Sequence, residues 1–85
     1  MQARYLVNLR EIRQILHRLK NGEASERWSA ASYLGSLGRA RRDLNLIIIK
    51  ALEIAKSGDK DADVRIMAQQ SIREAKGELD KILAR

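Results

Sequence analysis

Residues Asp43 to Gly58 read DLNLIIIKALEIAKSG, and nine of the twelve residues from Leu44 to Ala55 are apolar. At about 100° per residue, Leu44, Ile47, Ile48, Ala51, Leu52, Ile54 and Ala55 share one broad band of a helix. Leu46 and Ile49 fall on the back, beside Lys50 and Glu53. A helix apolar on most of its circumference needs cover on most of its circumference. The spacing therefore predicts that this helix, over about 43–56, is the centre of the fold. Something beyond its own neighbours is left to cover Leu46 and Ile49.

Upstream, Tyr5, Leu6, Leu9, Ile12, Ile15, Leu16 and Leu19 recur at i, i+3, i+4 spacing, which predicts a first helix over about 4–20. Asn21-Gly22 is a stop signal, because both residues accept the left-handed conformation at a helix end. Arg10, Arg13, His17 and Lys20 line up within roughly 80° of arc beside the apolar stripe, as either a solvated flank or an anion-binding row. Ser25 is placed to cap a second helix over about 26–37. Its main apolar face is Ala30, Tyr33, Leu34 and Leu37, and Trp28, Ala31 and Gly35 form a smaller one. The small residues Ala31 and Gly35 would admit a neighbouring helix closely, and Trp28 reads as a packed edge residue. Gly38 reads as the end of that helix. Arg39, Arg41 and Arg42 follow it, either as an anion contact or as complements to the negative end of the helix dipole. Asp43 can cap the third helix, and Ser57-Gly58 ends it. The fourth is predicted over about 62–84, with Gly77 as its weak point at a cost of about 1 kcal/mol relative to alanine.

The 85 residues make one small domain, spanning 1–85, in which burial is necessarily incomplete. There is no proline or cysteine, so disulfides and thiolate zinc sites are excluded and a reducing, cytoplasmic setting is compatible. The longest uninterrupted apolar run, Leu46 to Ile49, is far too short to cross a membrane, and the first ten residues do not form a signal peptide. The net charge of +6 is unevenly spread. Residues 1–42 hold nine Lys/Arg against three Asp/Glu, whereas residues 43–85 hold eight of each.

Lys20-Asn21-Gly22-Glu23 and Lys56-Ser57-Gly58-Asp59 match as K-[NS]-G-[ED], 36 residues apart. With two further residues in the second loop, Arg27 aligns with Arg65, Ala30 with Ala68 and Leu34 with Ile72. The chain reads as two helical hairpins of four antiparallel helices, and a helix–turn–helix unit recurring at this period is the mark of an α-solenoid. Residues 30–38, AASYLGSLG, resemble the A-A-x-A-L-G-x-L-G core of HEAT-like repeats. Asp61-Ala62-Asp63-Val64-Arg65 resembles the D-x-D-V-R start of such a repeat's helix. The resemblance covers roughly residues 23–75, lacks the family's loop prolines, and has Glu26 where Val is usual. It implies an all-α, HEAT-like solenoid fragment, a helix cap by Asp, pairing of Arg65 with Asp61 or Asp63, and a scaffold role in binding proteins or, in some members, nucleic acids.

Asp59, Asp61 and Asp63 alternate as in a calcium loop, but Val64 replaces the glycine and Gln70 the glutamate that such a loop needs. Capping and charge pairing account for them instead. With a single histidine and no Gly-rich phosphate loop, neither a nucleophilic triad nor a cofactor cradle can be assembled from the motifs present. The expectation is a non-catalytic protein-interaction module without cofactor or small-molecule substrate. It would self-associate as a homodimer through Leu46, Ile49, Ile66 and Trp28. The alternative is a nucleic-acid-binding domain using Arg10, Arg13, His17, Lys20, Arg39, Arg41 and Arg42.

Overall fold

A computed structural model of the chain describes residues 6–78. Within them the protein is all-α: α1 (Leu9–Asn21), α2 (Ala24–Ala40), α3 (Asn45–Gly58) and α4 (Ala62–Ala75), with a 3-10 turn at Arg42–Leu44 before α3 and no strand among the described residues.

Local chemistry sets each boundary. The first helix begins at Leu9 rather than Arg4, because the Asn8 side chain accepts the Glu11 N–H at 2.9 Å and caps it there. It ends at Gly22, which is extended rather than left-handed. The N-cap of α2 is Glu23 rather than Ser25, and the Glu26 carboxylate reaches back to the Glu23 N–H at 2.9 Å. This helix runs through Gly38 to Ala40, so Gly38 is an interior residue and not a stop. The expected cap at Asp43 is also displaced: Asp43 sits in the 3-10 turn and its carboxylate takes the Arg41 guanidinium at 2.8 Å. In α4, the Asp61 carboxylate accepts the Asp63 and Val64 N–H groups, as a helix cap should. The expected run to 84 is interrupted, since α4 closes at Ala75 and Gly77 turns into the left-handed region at φ 75°. The part of that expectation beyond 78 lies outside the described residues, as do Arg4 and Tyr5.

The central helix is α2, not α3. It packs most extensively on α4 and also meets α1 and α3, while α3 packs mainly on α4 and touches α1 lightly. What permits this is the absence of side chains on one face of α2. A Cβ added at Gly35 would stand 2.8 Å from the Ser71 Cβ and 2.9 Å from its Cα, and one at Gly38 would stand 3.0 Å from the Ala75 Cβ. Ala31, Leu34 and Leu37 of α2, Ile48 and Leu52 of α3, and Val64 and Ala68 of α4 are wholly buried at that contact.

Polar groups lock the same packing. Asn45 donates both amide hydrogens, to the Gly38 and Ala75 carbonyls at 2.8 Å each, and so joins the C-terminal ends of α2 and α4. Arg27 is buried and binds the Asp59 carboxylate at 2.9 and 3.2 Å while donating to the Gly22 carbonyl. Arg65 donates to the Asp59 carbonyl at 2.6 Å. The pairing expected of Arg65 with Asp61 or Asp63 is therefore replaced: Asp59 is the acceptor for both arginines. Burial pushes the Asp59 carboxyl up, but hydrogen bonds from Arg27 and the Asp61 N–H, with the charges of Arg27 and Arg65, outweigh it and hold Asp59 below the ordinary carboxylate value. The same hydrogen bond raises Arg27 above its ordinary value against the opposing effect of burial.

Candidate interaction face

With α2 at the centre, α3 is covered on one side only among the described residues. Ile48, Leu52 and Ala55 point inward, together with Leu44 just before the helix. The arc opposite carries Leu46, Ile47, Lys50, Glu53 and Ile54, all exposed, and the three large aliphatics are 82%, 55% and 73% exposed. Ile47 and Ile54 were expected inside the band, and Ile49 outside it. Ile49 is half-buried and packs against the core, because the true centre of the buried arc lies nearer Ile48 and Leu52. The cause is the composition of the helix itself: when nine of twelve residues are apolar, periodicity locates a helix but not its inner face.

A groove of about 340 Å³ runs between α1 and α3. Its walls are Leu16, Leu19, Ala51, Ile54 and Ala55, with Lys20 on one rim and Gly58 and Asp59 at one end. Leu19 and Ala55 are buried, whereas Leu16 and Ala51 are only half-covered, so the floor is continuous with the core yet open to solvent. Leu9, on the expected apolar stripe of α1, is 67% exposed.

The other residues expected at an interface are dispersed over separate helices. Trp28 is 42% exposed on α2 and borders a small depression with Ser25, Asp61 and Asp63. Ile66 is 55% exposed on α4. Its flanking residues Gln69, Gln70 and Arg73 are exposed and polar.

Of the basic residues, Arg10, Arg13, His17 and Lys20 are all exposed on α1. Arg10, Arg13 and His17 line a shallow depression with Gln14, Arg18 and Asn21, whereas Lys20 faces the apolar groove instead. His17 Nδ1 lies 3.2 Å from the Asn21 amide nitrogen. Arg41 is a structural residue: its guanidinium holds Asp43 and reaches the Val7 carbonyl at 3.4 Å. The hydrogen bond from Arg41 leads the effects that lower Asp43 below its ordinary value. Arg39 and Arg42 are exposed at the end of α2 and in the following turn.

The acidic loop is likewise committed to structure, Asp59 to Arg27 and Asp61 to the start of α4. Among the described residues no cluster of three or more Asp, Glu or His side chains is gathered as a metal ion would require, and no helix is long and apolar enough to cross a membrane. Neither Arg27–Asp59 nor the Asn45 bridge was anticipated from the sequence. Both join residues some thirty positions apart, and the available hint was a polar side chain standing within an otherwise apolar face. Comparison with known proteins finds no matching family model, curated protein or solved structure.

Proposed function

We propose that this chain is a non-catalytic protein-interaction module whose binding face is formed by α1 and α3. The observation that carries the reading is the exposed apolar arc of α3, Leu46, Ile47 and Ile54, continuous with an open apolar groove. A single exposed leucine or isoleucine needs no explanation, but three on one helix beside a groove mark a surface made to be covered.

A HEAT-like arrangement of two antiparallel hairpins accommodates this. The helices α2 and α4 start at Ala24 and Ala62, and each carries an arginine three residues in that donates to the loop behind it, Arg27 to the Gly22 carbonyl and Arg65 to the Asp59 carbonyl. Arg41, just past α2, reaches Val7, just before α1, as an antiparallel pair requires. Stacking of such units in two layers would leave the α1–α3 layer free to bind.

The test is affinity capture with the wild type and an Ile47→Gln/Ile54→Gln variant, followed by reconstitution from purified components. The reading expects a protein that is retained by the wild type, survives nuclease treatment, is lost with the variant and binds when purified. Identical retention by both forms would overturn it. A nucleic-acid reading rests on the depression lined by Arg10, Arg13 and Arg18, and it demands oligonucleotide affinity that falls steeply with salt.

A further inference from the structure

We propose that the α1–α3 groove receives an acidic amphipathic helix of a partner protein. The proposal rests on the protein-interaction reading and names its occupant. The shape of the site is set by two helices of 13 and 14 residues. The groove lies along Leu16 to Lys20 of α1 and Ala51 to Gly58 of α3, and at about 1.5 Å per residue the α3 wall is about 10 Å long, close to two turns of a bound helix. Its floor of Leu16, Leu19, Ala51 and Ala55 suits the apolar stripe of a helix laid along it, with anchors recurring at i, i+4 and i+7.

Charge selects the chemistry of that helix. Lys20 stands on the α1 rim and is exposed. On α3, Lys50 is exposed and is the i+3 neighbour of Ile47 and the i−4 neighbour of Ile54. The one acid in the groove, Asp59, is already neutralised: its side chain is 7% exposed and ion-paired to Arg27 at 2.9 Å. Glu53 lies about 100° round α3 from Ile54, away from the groove. Both flanks are thus cationic, and a helix bearing glutamates or aspartates beside its apolar stripe is complementary to them.

A second copy of the chain fits less well. It would bring the same cationic flanks against these. Nor can a copy extend the internal α2–α4 contact. Counting 38 residues on from Ala31, Gly35 and Gly38, as from Ala24 to Ala62, reaches Gln69, Arg73 and Lys76, all exposed. Long polar side chains stand where close packing needs almost none, which is how the terminal unit of a repeat stack is closed.

The experiment is an amide-resolved NMR titration of the full chain with two synthetic helical peptides. Each peptide has leucines at i, i+4, i+7 and i+11, flanked by glutamates in one and by lysines in the other. A dilution series without peptide and a duplex oligonucleotide complete the set. The expected result is saturable shifts at Leu16, Ala51 and Ile54 with the glutamate peptide. Affinity should fall at least tenfold with the lysine peptide or with Lys20→Glu, and should be partly restored when Lys20→Glu meets the lysine peptide. Equal affinity for the two peptides, or no effect of Lys20→Glu, overturns the acidic helix but leaves a protein-binding face. Concentration-dependent shifts at these residues without peptide assign the groove to a second copy and overturn the proposal in that way. Shifts with oligonucleotide alone, or none at this face under any condition, overturn both the occupant and the interaction reading.

Discussion

Replacing Gly35 by alanine separates two effects that oppose each other. In an isolated helix the change is favourable by about 1 kcal/mol, because glycine loses more backbone freedom than alanine. In this fold the new Cβ would meet the Ser71 Cβ at 2.8 Å, its Cα at 2.9 Å and its Oγ at 2.9 Å. Carbon atoms rest at about 3.5–4.0 Å, so α2 and α4 must separate by a large fraction of an ångström, and such a gap forfeits a quarter to a half of each contact across it. Overpacking of this kind costs about 1–3 kcal/mol, and the upper end applies because the Ser71 Cα is backbone and cannot rotate away. The net expectation is a loss of about 2 kcal/mol, or roughly 8–16 °C in thermal midpoint for a domain of this size. The assay is thermal and urea unfolding followed by circular dichroism, with Gly58→Ala as control, since a Cβ there meets nothing within 4 Å. A Gly35→Ala protein as stable as the wild type, or more so, would refute the close α2–α4 packing on which the architecture depends.

Asn45→Ala should cost about 1–3 kcal/mol by removing the donor to two helix-end carbonyls, while Gln69→Ala on the exposed side of α4 should change stability by less than about 0.5 kcal/mol; equal effects in urea unfolding would contradict the bridge. The depressed carboxyl of Asp59 adds stability that is complete above the unfolded-state value of about 3.9 and is lost as pH falls through the lower folded value. The gap in urea midpoint between wild type and Asp59→Asn should therefore be flat at neutral pH and shrink below about pH 4, and a gap that persists unchanged into strong acid would remove Asp59 from the account.

The four helices are legible in the sequence because apolar spacing, Gly and Asn breaks and the absence of proline all agree. Ala31 and Gly35 also announce the close approach, since small residues on a second face of a helix have no other structural use. The inner face of α3 is not legible: its apolar residues surround it, so the outcome depends on which side α2 and α4 occupy. That is why Ile47 and Ile54 came to be exposed and Ile49 packed. The start of α1 was recoverable from Asn8-Leu9-Arg10-Glu11, where an N-cap residue precedes an acid by three positions. The Arg27–Asp59 pair was not, because nothing local links positions 27 and 59 until the loops after α1 and α3 are brought side by side.

Calorimetric titration of wild type and Ile54→Gln with the glutamate-flanked amphipathic peptide tests the central claim most directly, when paired with the thermal midpoint of each protein. Ile54 is 73% exposed and lines the groove, so its truncation should barely move the midpoint. Burial of its side chain under a bound helix contributes about 1.5–3 kcal/mol, so the variant should bind at least about tenfold more weakly. Unchanged affinity, or a variant that loses affinity only because it unfolds, would contradict the assignment of this face to binding.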